Sequence, residues 1–95
     1  MSVTIGDITF DRVRYDADVD MLYLHAGEPS DAVDFDGTPD GHHTRYDRDG
    51  RLVGITLLHP KLLLAEDGRV VIPTDQGVLE AGPETLEPAL AAAAR

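Results

Sequence analysis

The sequence predicts a small α+β domain, mainly β: an antiparallel meander of about five or six strands with a short C-terminal helix. Three observations predict it. Short apolar segments alternate with turn-forming clusters roughly every eight to twelve residues, the spacing of antiparallel strands. Several of those segments are rich in Val, Ile, Leu and Tyr, which suit a pleated surface. The last eleven residues alone read as helix, and they are Ala-rich. With 42% hydrophobic residues in 95, the chain has material for one packed core. Residues 1–95 are expected to be a single domain, with its core in 3–73 and a helical tail in 84–95.

The elements follow in order. Phe10-Asp11-Arg12-Val13-Arg14-Tyr15 alternates, with Val13 and Tyr15 on one face and Arg12 and Arg14 on the other. Asp16-Ala17-Asp18-Val19-Asp20 is a turn, because short carboxylates bond nearby backbone amides. Met21 to Ala26 is apolar on both parities and should be a central strand covered on both faces. Gly27-Glu28-Pro29-Ser30 ends it. Ala32-Val33-Asp34-Phe35 is a short edge strand, and Asp36 to Gly41 a loop rich in Gly, Pro and Asp. His42 to Tyr46 then runs through Asp47-Arg48-Asp49-Gly50 into Arg51 to Leu58, the clearest hairpin in the chain. Asp-x-Asp-Gly suits a type I turn closed by Gly50 in the left-handed conformation. Gly54, inside an apolar strand, marks a bulge, a bend or a close approach of another backbone. Pro60 limits that strand. Lys61 to Ala65 fits a short strand or a helical turn equally well. Glu66-Asp67-Gly68 is a turn, Arg69 to Pro73 a last strand, and Thr74 to Gly77 a loop. In the tail, Thr85 suits a helix cap, Glu87 suits the positive end, and Pro88 fits only the first turn.

Composition narrows the function. There are 8 Lys+Arg against 18 Asp+Glu, a net charge of -10. Such a field repels phosphate backbones and anionic lipid heads, so neither nucleic acid nor membrane is an expected direct partner. Asp16, Asp18, Asp20, Glu28, Asp31, Asp34, Asp36 and Asp40 lie in a stretch without Lys or Arg. It reads as a solvated acidic surface or as a docking face for a basic partner. Cysteine is absent, which excludes disulfides, thiolate metal sites and cysteine nucleophiles. The first residues carry no basic region and no apolar stretch of signal length, so the expected location is cytoplasmic.

Two stretches together resemble a known family. Tyr15-Asp16-x-x-x-Asp20-x-Leu22-Tyr23-Leu24 is similar to its opening hairpin, and Asp47-x-Asp49-Gly50-Arg51-Leu52-Val53-Gly54-Ile55 to its closing one. The family is the bacterial domain-of-unknown-function 2283 family, and the resemblance covers roughly residues 10–59. It implies a short, β-rich fold in which Tyr15, Asp16, Asp20, Tyr23, Asp47, Asp49, Gly50 and Gly54 form the structural motif. It implies no catalytic residue and no cofactor. Thr56 stands where the family pattern typically carries a glutamate. Some members resemble partners of small toxin-like proteins, which implies an antitoxin-like neutraliser of a basic partner as one alternative.

Chemistry-bearing side chains are present without forming a known motif. His42 and His43 are adjacent, and His25 and His59 lie near strand ends. Neighbours on a strand point to opposite faces, so His42 and His43 cannot share one ion if extended. One of them with a nearby carboxylate is the basis for a second alternative, a small metal-dependent or acid–base enzyme. Asp16, Asp18 and Asp20 lack the glycine and the distal glutamate of a calcium loop. The leading expectation is a non-enzymatic interaction module without cofactor. It is expected to self-associate as a homodimer, because the apolar strands and Leu62, Leu63 and Leu64 exceed what one sheet and one short helix can hide.

Overall fold

The computed structural model describes residues 1–92. The fold is α+β and mainly β, with three antiparallel sheets and two helices among the described residues. Strands β1 (Val3–Ile5) and β2 (Ile8–Phe10) form a first hairpin. The central sheet contains β3 (Arg12–Asp16), β4 (Met21–His25), β5 (Asp34–Gly37), β6 (His43–Tyr46) and β7 (Leu52–Leu58), in the order β3-β4-β7-β6-β5. Helix α1 (Pro60–Asp67) follows. A second hairpin of β8 (Val70–Thr74) and β9 (Gly77–Ala81) leads into α2 (Pro83–Ala92).

Three of the central sheet's five strands, β5-β6-β7, form a meander. The chain reaches it by leaving β4 through a 3₁₀ turn at Pro29–Asp31 and crossing to the far edge, so that β7 returns beside β4. The two central strands are therefore distant in sequence. Their register sets Leu22 opposite Leu57 and Leu24 opposite Ile55. A one-residue slip would turn all four to the wrong face.

One face of this sheet is the core. Tyr15, Leu22, Leu24, Thr44, Tyr46, Ile55 and Leu57 are buried. The apolar ones join a single cluster with Val3, Ile5 and Phe10 of the first hairpin, Val70, Ile72 and Ala81 of the second, and Leu86 and Ala89 of α2. Each fully buried large side chain contributes about 1.5–3 kcal/mol. The two flanking hairpins and α2 supply the rest of the apolar surface, and of these β1 and β9 are the strands that sequence patterning leaves unassigned.

One local alternative is resolved and two local features differ from the sequence expectation. Of the two readings left open for Lys61–Ala65, the segment takes the helical one. Asp20 supplies the reason: its Oδ1 accepts the Lys61 amide at 3.2 Å and its Oδ2 the Leu62 amide at 3.3 Å, satisfying free donors of the first turn. Helix α2 begins at Pro83, so Pro88 lies within it. Pro88 and Glu84 are both exposed, so water can serve the Glu84 carbonyl that the proline cannot bond. Finally, β4 and β7 carry a polar second face. Tyr23, His25 and Thr56 occupy the parity opposite the core, and only Met21 and Leu58 at the strand ends keep it apolar.

Candidate functional site

The second face of the central sheet holds the main concentration of polar chemistry. Strand register arranges it in two rows. Arg12, His25, Gly54, Arg45 and Phe35 run across the sheet in one; Arg14, Tyr23, Thr56 and His43 run beside it. Six residues of these rows, Arg12, Arg14, Tyr23, His25, Arg45 and Thr56, line a cleft of about 650 Å³ together with Asp11 and Pro29. His25, Gly54 and Thr56 are buried, while Arg12 and Arg14 are exposed.

Three of the protein's eight Lys and Arg residues converge on the cleft, with the Asp11 carboxylate also in its lining and Glu28 and Asp16 paired to Arg12 and Arg14. The Arg12 side chain is held by the Gly27 carbonyl at 2.8 Å and by Glu28 at 3.0 Å. Arg14 lies 5.1 Å from the centroid of the Tyr23 ring and 4.0 Å from Asp16. Arg45 lies 5.8 Å from the centroid of the Phe35 ring, and among the described residues it forms no ion pair. A Cβ at Gly54 would sit 3.3 Å from both Cβ and Cδ of Arg45, so the missing side chain is what lets the arginine stem cross the sheet there.

His25 is 7% exposed. Its Nδ1 is 3.1 Å from the Val53 carbonyl, which can only accept, so Nδ1 carries the proton. Nε2 is then a bare acceptor, buried and without a partner among the described residues. Burial, and after it the Arg45 and Arg12 guanidiniums, hold the His25 pKa below the ordinary histidine value, while Asp11 and Asp31 oppose them. The ring is a neutral hydrogen-bond acceptor set among cations.

The other histidines do not join it. His42 is wholly buried, and its Nδ1 accepts the Leu58 amide at 3.0 Å, which puts the proton on Nε2. Burial lowers its pKa. His43, the next residue, is exposed, and His59 occupies the turn before α1 with φ 55°. Among the described residues no three His, Asp or Glu side chains gather closely enough to hold a metal ion.

The motif residues occupy turns and junctions. The Tyr15 hydroxyl donates to Asp20 Oδ1 at 2.7 Å, and Asp20 in turn holds α1. Burial, then the bond to Asp20, pushes the Tyr15 pKa up to about 12. Asp16 accepts the Asp18 amide at 3.2 Å inside the first turn. In the second, Asp47 Oδ1 accepts the amides of Asp49 and Arg51 at 2.9 Å each, and Gly50 takes φ 80°. The Arg51 amide, then its guanidinium, lower the Asp47 pKa. Asp49 pairs with Arg51 at 3.1 Å. Of this set only Tyr23 lines the cleft, and Gly54 lies under the Arg45 stem beside it. Arg45 is not legible as a site residue in the sequence, because its partners depend on the β6–β7 register. Arg12 and Arg14 do leave a signal, their shared parity in an alternating strand.

No helix of the described residues is long and apolar enough to cross a membrane. A search of curated proteins finds no match, and a search of solved structures finds none either. The family model of the DUF2283 proteins, described as proteins of unknown function, matches residues 12–61, which is the central sheet from β3 to β7 with the start of α1. That match spans more than half of the chain and both Asp-rich hairpins, and the protein belongs to the DUF2283 family.

Proposed function

We propose that the protein is a non-enzymatic interaction module that self-associates through the apolar groove between α1 and α2. The groove is the observation that carries this reading. Successive helical residues turn by about 100°, so Leu62, Leu63 and Leu64 cannot all face one core. Leu62 is 50% exposed. Tyr15, Ala65, Leu90 and Ala91 line two adjoining depressions, one of which adds Leu62 and the other Leu64. Lys61 and Glu87 flank the same groove, so a two-fold axis can set each copy's Lys61 against the other's Glu87. The reading includes a cytoplasmic setting.

Sedimentation at micromolar concentration and moderate salt tests it. The expected result is a species of twice the 10.3 kDa chain mass, reverting to a single chain in Leu62→Glu with an unchanged circular dichroism spectrum. A wild-type protein that sediments as a single chain refutes self-association.

A second reading, an antitoxin-like neutraliser of a basic partner, is favoured by one observation. Edge strand β5 is exposed throughout and presents Asp34 and Asp36, with exposed Asp31 and Asp40 nearby in sequence. Association through that edge would weaken steeply with salt. The alternative of a metal-dependent or acid–base enzyme using His42 or His43 with a nearby carboxylate finds less support, since the His42 ring is buried with its Nδ1 already occupied and exposed His43 is in no group of three His, Asp or Glu among the described residues that could hold a metal ion.

A further inference from the structure

We propose that the cleft on the second face of the central sheet binds a small phosphate monoester or inorganic phosphate in its hydroxyl-bearing form, with Arg45, Arg12 and Arg14 holding the anionic oxygens and His25 Nε2 accepting the P–OH proton in a hydrogen bond. This site is separate from the α1–α2 groove, so it stands or falls independently of self-association.

Three observations carry it. The first is charge. Three guanidiniums and one carboxylate, Asp11, line one cleft on a chain with ten more acids than bases, and Arg45 has no carboxylate partner among the described residues. The pairs that Arg12 and Arg14 already make with Glu28 and Asp16 lie at the surface, where water screens them, so exchanging them for a ligand costs little. Guanidinium forks match the oxygens of phosphate and carboxylate alike.

The second observation separates those two. His25 is more than nine-tenths buried, and its Nδ1–H is committed to the Val53 carbonyl. Nε2 therefore offers a lone pair and has no partner among the described residues. An unmet buried acceptor calls for a ligand that brings a donor. A carboxylate or a sulfate brings only acceptors. A monoprotonated phosphate brings both, anionic oxygens for the arginines and one O–H for the imidazole. Thr56, buried in the next row, adds a hydroxyl that can donate or accept.

The third is access and size. The stem of Arg45 lies over Gly54, between its own strand and His25, with no side chain beneath it. A rotamer change of this long side chain can open the way to the ring without moving the sheet. The cleft, about 650 Å³, suits a small molecule. The overall charge of -10 repels a polyanion, which selects a small phosphate over a nucleic-acid backbone.

The experiment is a pair of titrations followed by amide NMR at about pH 6, where phosphate keeps its second proton, with inorganic phosphate and with sulfate at matched ionic strength. Phosphate is expected to shift the amides of Arg12, His25, Gly54, Arg45 and Thr56 saturably at millimolar concentration. Sulfate should bind at least about tenfold more weakly, because its oxygen lone pairs would face that of Nε2. Arg45→Gln should weaken phosphate binding by about tenfold or more while leaving the rest of the spectrum in place. His25→Asn should bring the two anions toward equal affinity. Failure to saturate with phosphate, equal binding of sulfate by the wild type, or unchanged phosphate binding in Arg45→Gln would each overturn the proposal. The arginine variant keeps the test decisive if the buried His25→Asn fails to fold.

Discussion

The Tyr15 hydroxyl donates a 2.7 Å hydrogen bond to Asp20, and that one carboxylate joins the first hairpin of the central sheet to the helix that follows its last central strand. Asp20 has φ 51° and its carbonyl accepts the His59 amide at 2.8 Å. It therefore acts as a remote cap for α1, whose own cap residue, His59, makes no side-chain bond to the helix. Tyr15→Phe should destabilise by about 1–2 kcal/mol through the lost bond to a carboxylate. Asp20→Ala should cost more, about 2 kcal/mol or above, since it also frees two helix amides and places alanine at positive φ. Asp20→Asn should fall between wild type and alanine, because asparagine tolerates that φ and keeps one acceptor. Urea denaturation of the three variants checks the order.

Tyr15 should also report its partner by titration. With its pKa pushed up to about 12 from 10.0, the phenol stays neutral in the folded protein after free tyrosine has ionised. The stability it contributes is fully present below pH 10.0 and declines as pH rises from there to about 12. Ultraviolet titration should show one tyrosine ionising late or only on unfolding, and Asp20→Asn should bring it earlier.

Two glycines should fail for different reasons. Gly50 has φ 80°, and an added methyl group there would meet nothing within 4 Å, so Gly50→Ala should cost about 1 kcal/mol by backbone strain alone. Gly54 has no such φ, but a Cβ there would press on Arg45 at 3.3 Å and approach the Leu24 carbonyl at 3.5 Å. Gly54→Ala should shift the NMR signals of Arg45 and His25, and Gly50→Ala should leave them in place.

Mild acid should loosen the fold before the carboxylates titrate. His25 and His42 both have folded pKa values below the ordinary 6.5, so the unfolded chain takes up their protons first. Their contribution is complete above pH 6.5 and is lost as pH falls from 6.5 toward the folded values. Protonating His42 would also set an N–H against the Leu58 amide. Denaturation midpoints measured at stepwise lower pH should fall for wild type, and His42→Asn, which keeps an acceptor near Nδ1, should show a shallower slope.

Much of the sheet is legible in the sequence because its signals are local. Asp47, Asp49 and Gly50 announce a turn through side-chain acceptors and a permissive glycine, and those bonds lie within four residues. The strands at Met21–His25 and Leu52–Leu58 stand out as apolar runs. The hairpins β1–β2 and β8–β9 are only partly legible, since three-residue strands such as Val3–Ile5 carry too little pattern to register.

The β-rich class, the two Asp-rich turns, the acidic surface and the shared parity of Arg12 and Arg14 all follow from the order of residues along the chain. Each rests on positions within a few residues of one another, where side-chain direction and turn chemistry act without help from the fold. Three relationships needed the folded chain: β7 lies beside β4, Asp20 caps a helix some forty residues away, and Arg45 faces His25 across Gly54. These depend on strand order and register, which are set by how the whole core packs. An apolar run is compatible with several strand orders until the other face is filled.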